Sequence, residues 1–337
     1  MTDFSKVKSR PKVAVVIPNW NGMRWLSDCL SAVTGQSYPP EEIILVDNAS
    51  TDHSTAFVRE TFPQVSIIEL DKNIGFAGAV NAGIAKVESE FVALLNTDTI
   101  ADRDWIRYLV EAFQNAPETV GAITPLMVSM QDQDRIDNAG DSFSWYGEAT
   151  KIGHGASRAE APLRSEVLSP SAGATMYRSS FLRDCSGFDD QFFAYLEDVD
   201  LGLRGRMLGY QYWIEPKSVV LHYSHGSQID YEYYIRLVTQ NRLLLFVKNI
   251  PLSRLVKFSP KIVYGQIYYL LAFGHLRAFL AGYWGFIRRL PHALKHRRKI
   301  QRHRRVHPSE LDQLLSHDKP EWGIRHHLTK LIRRIVN

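Results

Sequence analysis

The chain has 337 residues, 45% of them hydrophobic and 23% charged. This composition excludes a largely disordered chain and leaves room for one large domain plus an appendage. The net charge of +4 conceals a division: residues 1–235 carry 19 Lys and Arg against 32 Asp and Glu, and residues 236–337 carry 21 against 4. Such asymmetry predicts an acidic catalytic part and a tail drawn to an anionic surface, either membrane phospholipid or nucleic acid.

The N-terminus, MTDFSKVKSR, has no apolar stretch after its basic residues, so no secretory signal is expected. Val13 to Ile17 reads as a buried strand ended by Pro18, and Leu26, Cys29, Leu30 and Val33 then recur at helical spacing. That spacing makes Cys29 a small core residue; neither it nor Cys185 belongs to a CxxC pair, which fits a reducing compartment. Ile43 to Val46 is a second strand running into Asp47, and Val65 to Leu70 a third. Phe76 to Val87 is a helix, and Phe91 to Leu95 a fourth strand that delivers Asn96-Thr97-Asp98. Strands alternating with helices predict an α/β fold with a mostly parallel sheet flanked by helices, whose ligands bind beyond the carboxyl ends of the strands. Leu126 to Ser169 has no clear period and is expected to be a long loop region that shapes acceptor binding. Order returns at Gly173 to Tyr177, then in the aromatic stretch from Phe188 to Tyr195, the acidic helix start at Glu197-Asp198, and a strand ending at His222.

Asp98 follows an apolar strand, where a carboxylate needs a partner. Mg2+ or Mn2+ would serve and would leave sites open for diphosphate oxygens; the alternative is a cap for a helix beginning near Asp102. Asp47 suits hydrogen bonds from a nucleobase or ribose, or else an Asx turn. The Asn73 to Gly83 stretch lacks GxGxxG spacing; its small residues admit a nucleotide at a helix N-terminus or permit close helix packing. Glu197 and Asp198 diverge by about 100° on a helix, so they should take different jobs, one as a general base raised in pKa by aromatic neighbours. Complementing the helix dipole is the alternative. His222 is either a metal ligand or a structural histidine.

Together Val16-Ile17-Pro18-Asn19-Trp20-Asn21-Gly22, Val46-Asp47-Asn48-Ala49-Ser50-Thr51-Asp52, Asn73 to Ala79, Leu95-Asn96-Thr97-Asp98-Thr99 and Phe192 to Leu201 resemble the inverting glycosyltransferases of family 2, and among them the rhamnosyltransferase-like branch. The resemblance covers about residues 12–250 and implies a GT-A fold. It implies that Pro18, Asn19 and Asp47 contact the nucleoside and that the loop with Asn73 and Gly75 closes over the nucleotide. Asn96 and Asp98 occupy the metal-binding DxD position, with Asn96 replacing the first acid. Asp198, paired with Glu197, matches the catalytic base, and His222 matches a position that completes the metal shell in some members. The expected donor is dTDP-rhamnose or a UDP- or GDP-linked hexose, and the expected acceptor a glycan or lipid-linked saccharide of the cell envelope.

The expected division is an N-terminal tail at 1–11, a catalytic domain at 12–235 and a basic, helical, membrane-associating region at 236–337. Ile262 to Ile287 nearly has the length of a membrane span, but Gln266, His275 and Arg277 favour interfacial helices and monotopic or peripheral attachment to the cytoplasmic face of the membrane. The alternative is packing on the catalytic domain or on a second copy in a homo-oligomer. A nucleic-acid clamp would leave Asp98 and Asp198 without work, so no nucleic-acid partner is expected; an inactive nucleotide-sugar-binding subunit is the stronger rival.

Overall fold

A computed structural model of the chain describes residues 10–223, 229–320 and 324. Most of the expected N-terminal tail, and the last residues of the basic region apart from Ile324, lie outside these. The apolar runs become β1 (Val13–Asn19), β2 (Glu42–Asp47), β3 (Ser66–Glu69) and β4 (Phe91–Leu94), with α1 (Met23–Thr34), α2 (Ser54–Thr61) and α3 (Gly75–Ile84) between them. The chain continues through β5 (Thr99–Ala101), α4 (Trp105–Gln114) and β6 (Val120–Ser129). The region expected to be irregular holds three-residue strands: β7 (Ile136–Asn138), β8 (Asp141–Phe143), β9 (Ala149–Lys151) and β10 (Ser165–Val167). Then come β11 (Met176–Arg178), α5 (Ser179–Cys185), α6 (Glu197–Met207), β12 (Gln211–His222) and the helices α7 (Tyr231–Asn249), α8 (Leu252–Lys257), α9 (Ser259–Phe273), α10 (Leu276–His303) and α11 (Leu311–Leu314).

The main sheet runs β10-β12-β6-β11-β4-β1-β2-β3, with β5 on β12 and β7 on β6. Strands β3, β2, β1 and β4 are mutually parallel, as are β6 and β12; β11 joins the two groups antiparallel to both. Side chains alternate across each strand. Val13, Val15 and Ile17 therefore face the core under α1 and α4, and Val16, Ile44 and Val46 the core under α3 and α5. Cys29 is fully buried in the first of these, as its spacing predicts.

A third core joins Phe192, Val199 and Leu203 to Leu244, Leu245 and Phe246 of α7 and to Phe258. The boundary drawn after Ile235 on charge thus falls inside α7, which packs on α6 and on the chain before it. Gly282 and Gly285 let α10 approach α7 closely, since a Cβ at either would strike Thr239 or Gln240. Gly274, with φ +66°, ends α9 and breaks the apolar stretch from Ile262 to Ile287 into two helices. Among the described residues no helix is long and apolar enough to cross a membrane.

Between α6 and α7 lies a buried ionic cluster. Asp200 accepts hydrogen bonds of 2.8 Å from Arg204 Nε, Lys248 Nζ and Asn249 Nδ2, and Lys248 also pairs with Asp189. Lys248 and Asp200 have no exposed surface. Replacing Lys248 by Met would strand buried carboxylates and should lower unfolding free energy by about 3–5 kcal/mol; urea denaturation checks this, and a loss within experimental error would show that the cluster contributes little.

Candidate active site

Beyond the carboxyl ends of β1, β2 and β4 opens a cleft of about 640 Å³, lined by Pro18, Asn19, Asn73, Gly75, Asn96, Asp98, Glu197, Asp198 and His222 among others. The structure thus brings together nine of the ten candidates. The tenth, Asp47, is buried below the lining: one of its oxygens accepts from Asn19 Nδ2 at 2.8 Å and the other from the Ser50 amide at 3.0 Å. Asp47 therefore both makes the Asx-type turn and orients Asn19. The other side-chain atom of Asn19, Oδ1, is buried with no protein partner, which leaves an acceptor for a ligand donor. Asn48 plays a parallel role, accepting from the Ile74 amide at 2.9 Å and donating to Asn73 Oδ1 at 3.0 Å, so that it fixes the loop with Asn73 and Gly75.

Asp98 does not cap a helix, since α4 begins at Trp105. Its Oδ1 lies 3.6 Å from His222 Nε2, and His222 Nδ1 lies 2.7 Å from the buried carboxylate of Asp137. Burial pulls the His222 pKa down, but hydrogen bonds to Asp137 and Asp98 outweigh it and push the group up to about 9. Lys151 Nζ already answers Asp137, at 3.0 Å from both of its oxygens, so the carboxylate beside His222 that a metal ion would meet is Asp98. The arrangement fits: an imidazole whose second nitrogen is held by a carboxylate, with its free nitrogen beside another carboxylate, is the usual setting of a metal-binding histidine. Asp98 and His222 would hold such an ion, with Asp137 orienting the ring.

Glu197 and Asp198 open α6, and burial raises both above the ordinary carboxylate range. For Glu197 the neighbouring charge of Asp198 adds to burial, and its Oε2 has no protein partner. For Asp198 the amides of Val199 at 2.8 Å and Ala172 at 3.4 Å pull back downward. Asp141 is hydrogen-bonded to Asp198; burial and then that neighbour's charge hold it well above the usual range. Asn138 Nδ2 donates to Asp141 Oδ1 at 3.0 Å. Burial and the neighbouring charge thus favour the protonated form of Asp141 beside Asp198.

The acids are reached through a strained approach. Phe193, Tyr195 and Leu196 all have φ between 65° and 68°, a region costly for residues other than glycine. Asn241 Nδ2 holds this segment by donating to the carbonyls of Phe192, Ala194 and Tyr195 at 2.8–2.9 Å. Gly75, at φ +80°, packs against Phe193, whose carbonyl a Cβ would strike.

Residues that sequence reasoning missed are Asp137, Asn138 and Asp141, from the stretch read as an irregular loop, and Asn48 and Asn241. The one available signal was the close spacing of Asp137, Asn138 and Asp141 around Gly140, a polar cluster that no strand or helix period explains.

Residues 14–183 match the family model described as glycosyl transferase family 2. The poly-beta-1,6-N-acetyl-D-glucosamine synthase of Staphylococcus epidermidis is 25% identical over 213 residues, 61% of this chain and 48% of that protein. The chain spans about half the length of the curated relatives it matches. Among solved structures, GalNAc-T7 with UDP, GalNAc and Mn2+ superposes with a TM-score of 0.56 at 16% identity, covering 76% of this chain and 55% of that one. S. aureus TarS 1-349 does so with 0.54 at 14% identity, covering 91% and 93%. These two likenesses show a common fold.

With aspartate carboxyls labelled by 13C, Asp141 and Asp198 should titrate as a pair in two steps, the upper one above the ordinary range near 4. The upper step should vanish in Asp141→Asn, whose amide still donates to Asp198. In Asp141→Ala, which removes the donor, the remaining Asp198 step should move upward. An upper step that survives Asp141→Asn would show that the two carboxyls do not share a proton.

Proposed function

Because the chain belongs to glycosyl transferase family 2 and has the GT-A fold, we propose that it moves a hexose from a nucleoside-diphosphate sugar to a hydroxyl of a glycan or lipid-linked acceptor, with inversion, in building a cell-envelope polysaccharide. The observation that carries this reading is one cleft lined by both the raised acids Glu197 and Asp198 and the Asp98–His222 pair. The motifs Asn19-Trp20-Asn21-Gly22 and Asn96-Thr97-Asp98 favour the rhamnosyltransferase-like branch, and the donors they admit alike are dTDP-rhamnose and UDP- or GDP-linked hexoses.

Asn19 Oδ1, lacking a protein partner, accepts from the nucleoside, and the Asn73 loop, pinned by Asn48, closes beside it. A divalent ion at Asp98 and His222, Mg2+ or Mn2+, would supply charge neutralisation for the departing diphosphate. Asp198 takes the proton of the acceptor hydroxyl as that oxygen bonds to the anomeric carbon; the bond from that carbon to the diphosphate breaks, and the nucleoside diphosphate leaves with the electron pair. Asp141, holding its own proton against Asp198, keeps the base oriented. Glu197 lies beside it, buried, and bounds the acceptor side of the cleft.

A donor panel read by nucleoside-diphosphate release tests the activity and identifies the sugar. Asp198→Asn should lower turnover by at least about 100-fold while calorimetry shows donor binding retained; near-normal turnover would remove Asp198 as the base. In the same assays Asp98→Ala should weaken metal-dependent donor binding, and unchanged binding would remove it as a ligand.

The reading includes attachment to the cytoplasmic face of the membrane. Leu276, Leu280, Trp284 and Ile287 are exposed on α10 at helical spacing, with Val263 and Ile267 exposed on α9. Exposed Arg277, Arg288, Lys295 and Arg298 accompany them, and no acidic residue occurs from Tyr233 to Ser309. Apolar side chains beside unopposed cations suit an anionic leaflet. The chain should sediment with vesicles containing phosphatidylglycerol at ~0.15 M salt and not with pure phosphatidylcholine, and Leu280→Glu with Trp284→Glu should release it. Failure to bind anionic vesicles, or a stable dimer that buries this stripe, would overturn the attachment.

A further inference from the structure

Behind the segment that carries the acids lies a second cavity, of about 600 Å³, whose lining includes Asp189, Arg204, Lys248, His292, His296 and Lys299. It is separate from the cleft described above, and nothing in the proposed transfer uses it. His292 and His296 stand one turn apart on α10, with ring centroids 4.1 Å apart. His292 Nε2 lies 3.1 Å from both oxygens of Asp189, and one ligand atom from each of the three residues falls within 4.8 Å of the others.

We propose that Asp189, His292 and His296 form a second metal site, which takes a transition ion such as Zn2+ or Co2+ and fastens α10 to the segment leading into Glu197 and Asp198. Donor atoms sharing an ion at about 2.0–2.2 Å are themselves roughly 3–3.5 Å apart, so the Asp189–His292 spacing already matches. His296, half-buried at the cavity wall, stacks on His292 and brings a ring nitrogen within 4.8 Å of the other two ligand atoms. Two imidazoles and one carboxylate favour a borderline ion over Mg2+ or Ca2+, which prefer oxygen. The cavity leaves room for water to complete the coordination.

The nearest obstacle is Lys248, whose ammonium also touches Asp189. The lysine meets Oδ2 of Asp189 and shares Asp200 with Arg204, so Asp189 keeps that pairing through Oδ2 and offers Oδ1 to a metal. The wall also sets Asp184 and Asp190 against Arg204, Lys299 and Arg305, so the ion would be held by its bonds to the three ligands and not by the charge of the cavity.

The consequence follows from chain order. Asp189 begins the short turn Asp190–Phe192, after which come the left-handed residues Phe193, Tyr195 and Leu196 and then the acids. From α10, Arg289 already donates to the Gln191 carbonyl at 3.1 Å. A metal shared between Asp189 and α10 would add a coordinate link at the same place, joining the helix with the exposed apolar stripe to the catalytic segment. The site does not depend on the glycosyl-transfer reading.

Titrating the full chain with Co2+ in the absence of nucleotide tests it. In an Asp98→Ala background, which silences the cleft, one Co2+ per chain should bind and show the visible bands of imidazole coordination. The bands should disappear in His292→Asn and in His296→Gln, two conservative changes at partly exposed positions, each checked by circular dichroism for a native fold. Retention of the Co2+ spectrum and affinity in both folded variants, or no stoichiometric Co2+ or Zn2+ binding in the Asp98→Ala protein at micromolar metal, would overturn the site. Hydrogen exchange reports the fastening: Zn2+ should slow amide exchange in residues 189–196 and 288–298 together, and unchanged exchange there with the ion bound would overturn the link.

Discussion

Asp200 is the point on which the segment carrying Glu197 and Asp198 turns. It sits one helical turn into α6, fully buried, and its carboxylate is met by Arg204 from its own helix and by Lys248 and Asn249 from the end of α7. A lone buried carboxylate would be expelled or protonated; with charged partners it becomes a directional clamp. Because Glu197 and Asp198 lie in the turn just before it, fixing Asp200 fixes the depth and rotation at which those acids enter the cleft. The same α7 holds the approach to them, through Asn241 and its three carbonyl partners. One helix therefore sets both ends of the segment from Phe192 to Asp200.

That support explains how a costly backbone survives. Three residues with side chains in left-handed conformations within four positions would cost several kcal/mol if free to relax, yet Asn241, the Gly75 contact and the Asp200 cluster leave them no alternative path. The strain turns the chain sharply enough for Tyr195 and Glu197 both to line the cleft. Burial then raises the acids, and Asp141 meets Asp198 as a second carboxyl. The raised pKa of these acids comes from position in an apolar, over-determined setting, since an aspartate at a helix start in water would titrate near 4.

What the sequence revealed follows from which forces leave periodic traces. Strands β1, β2 and β4 are buried on both faces, so they read as unbroken apolar runs, and the polar residues at their ends were legible as a functional edge. That Asp98, Asp198 and His222 share one cleft was legible for this reason and because the family motifs fix their order. Asp137 and Asp141 were not, because strands of three residues have no period and their pairing with β6 and β9 is decided by the tertiary fold. Asp47 is a subtler case: the sequence left it between a ligand contact and an Asx turn, and the structure makes the turn and aims Asn19 with it, a distinction that only side-chain direction contains. The charge boundary after Ile235 failed to reveal α7 as a unit because charge describes surfaces, whereas Asn241, Lys248 and Asn249 act from inside.

The basic C-terminal region accordingly has two faces with different chemistry. On α10, Gly282 and Gly285 bring the backbone against α7, and Arg289 reaches the carbonyl of Gln191. The other face presents Leu280, Trp284 and Ile287 to the surroundings. A helix that only anchored a protein would need no contact with the segment before the acids, and a helix that only buttressed that segment would gain nothing from exposed tryptophan and isoleucine, which carry a solubility cost. Having both on one rigid element means that whatever covers the outer face bears on the same helix that steadies the approach to Asp198. A hydrophobic surface and the segment leading to Glu197 and Asp198 are thus mechanically adjacent across α10 itself, and the polar contacts at Gln191 and Asp189 are where force on one would be felt by the other.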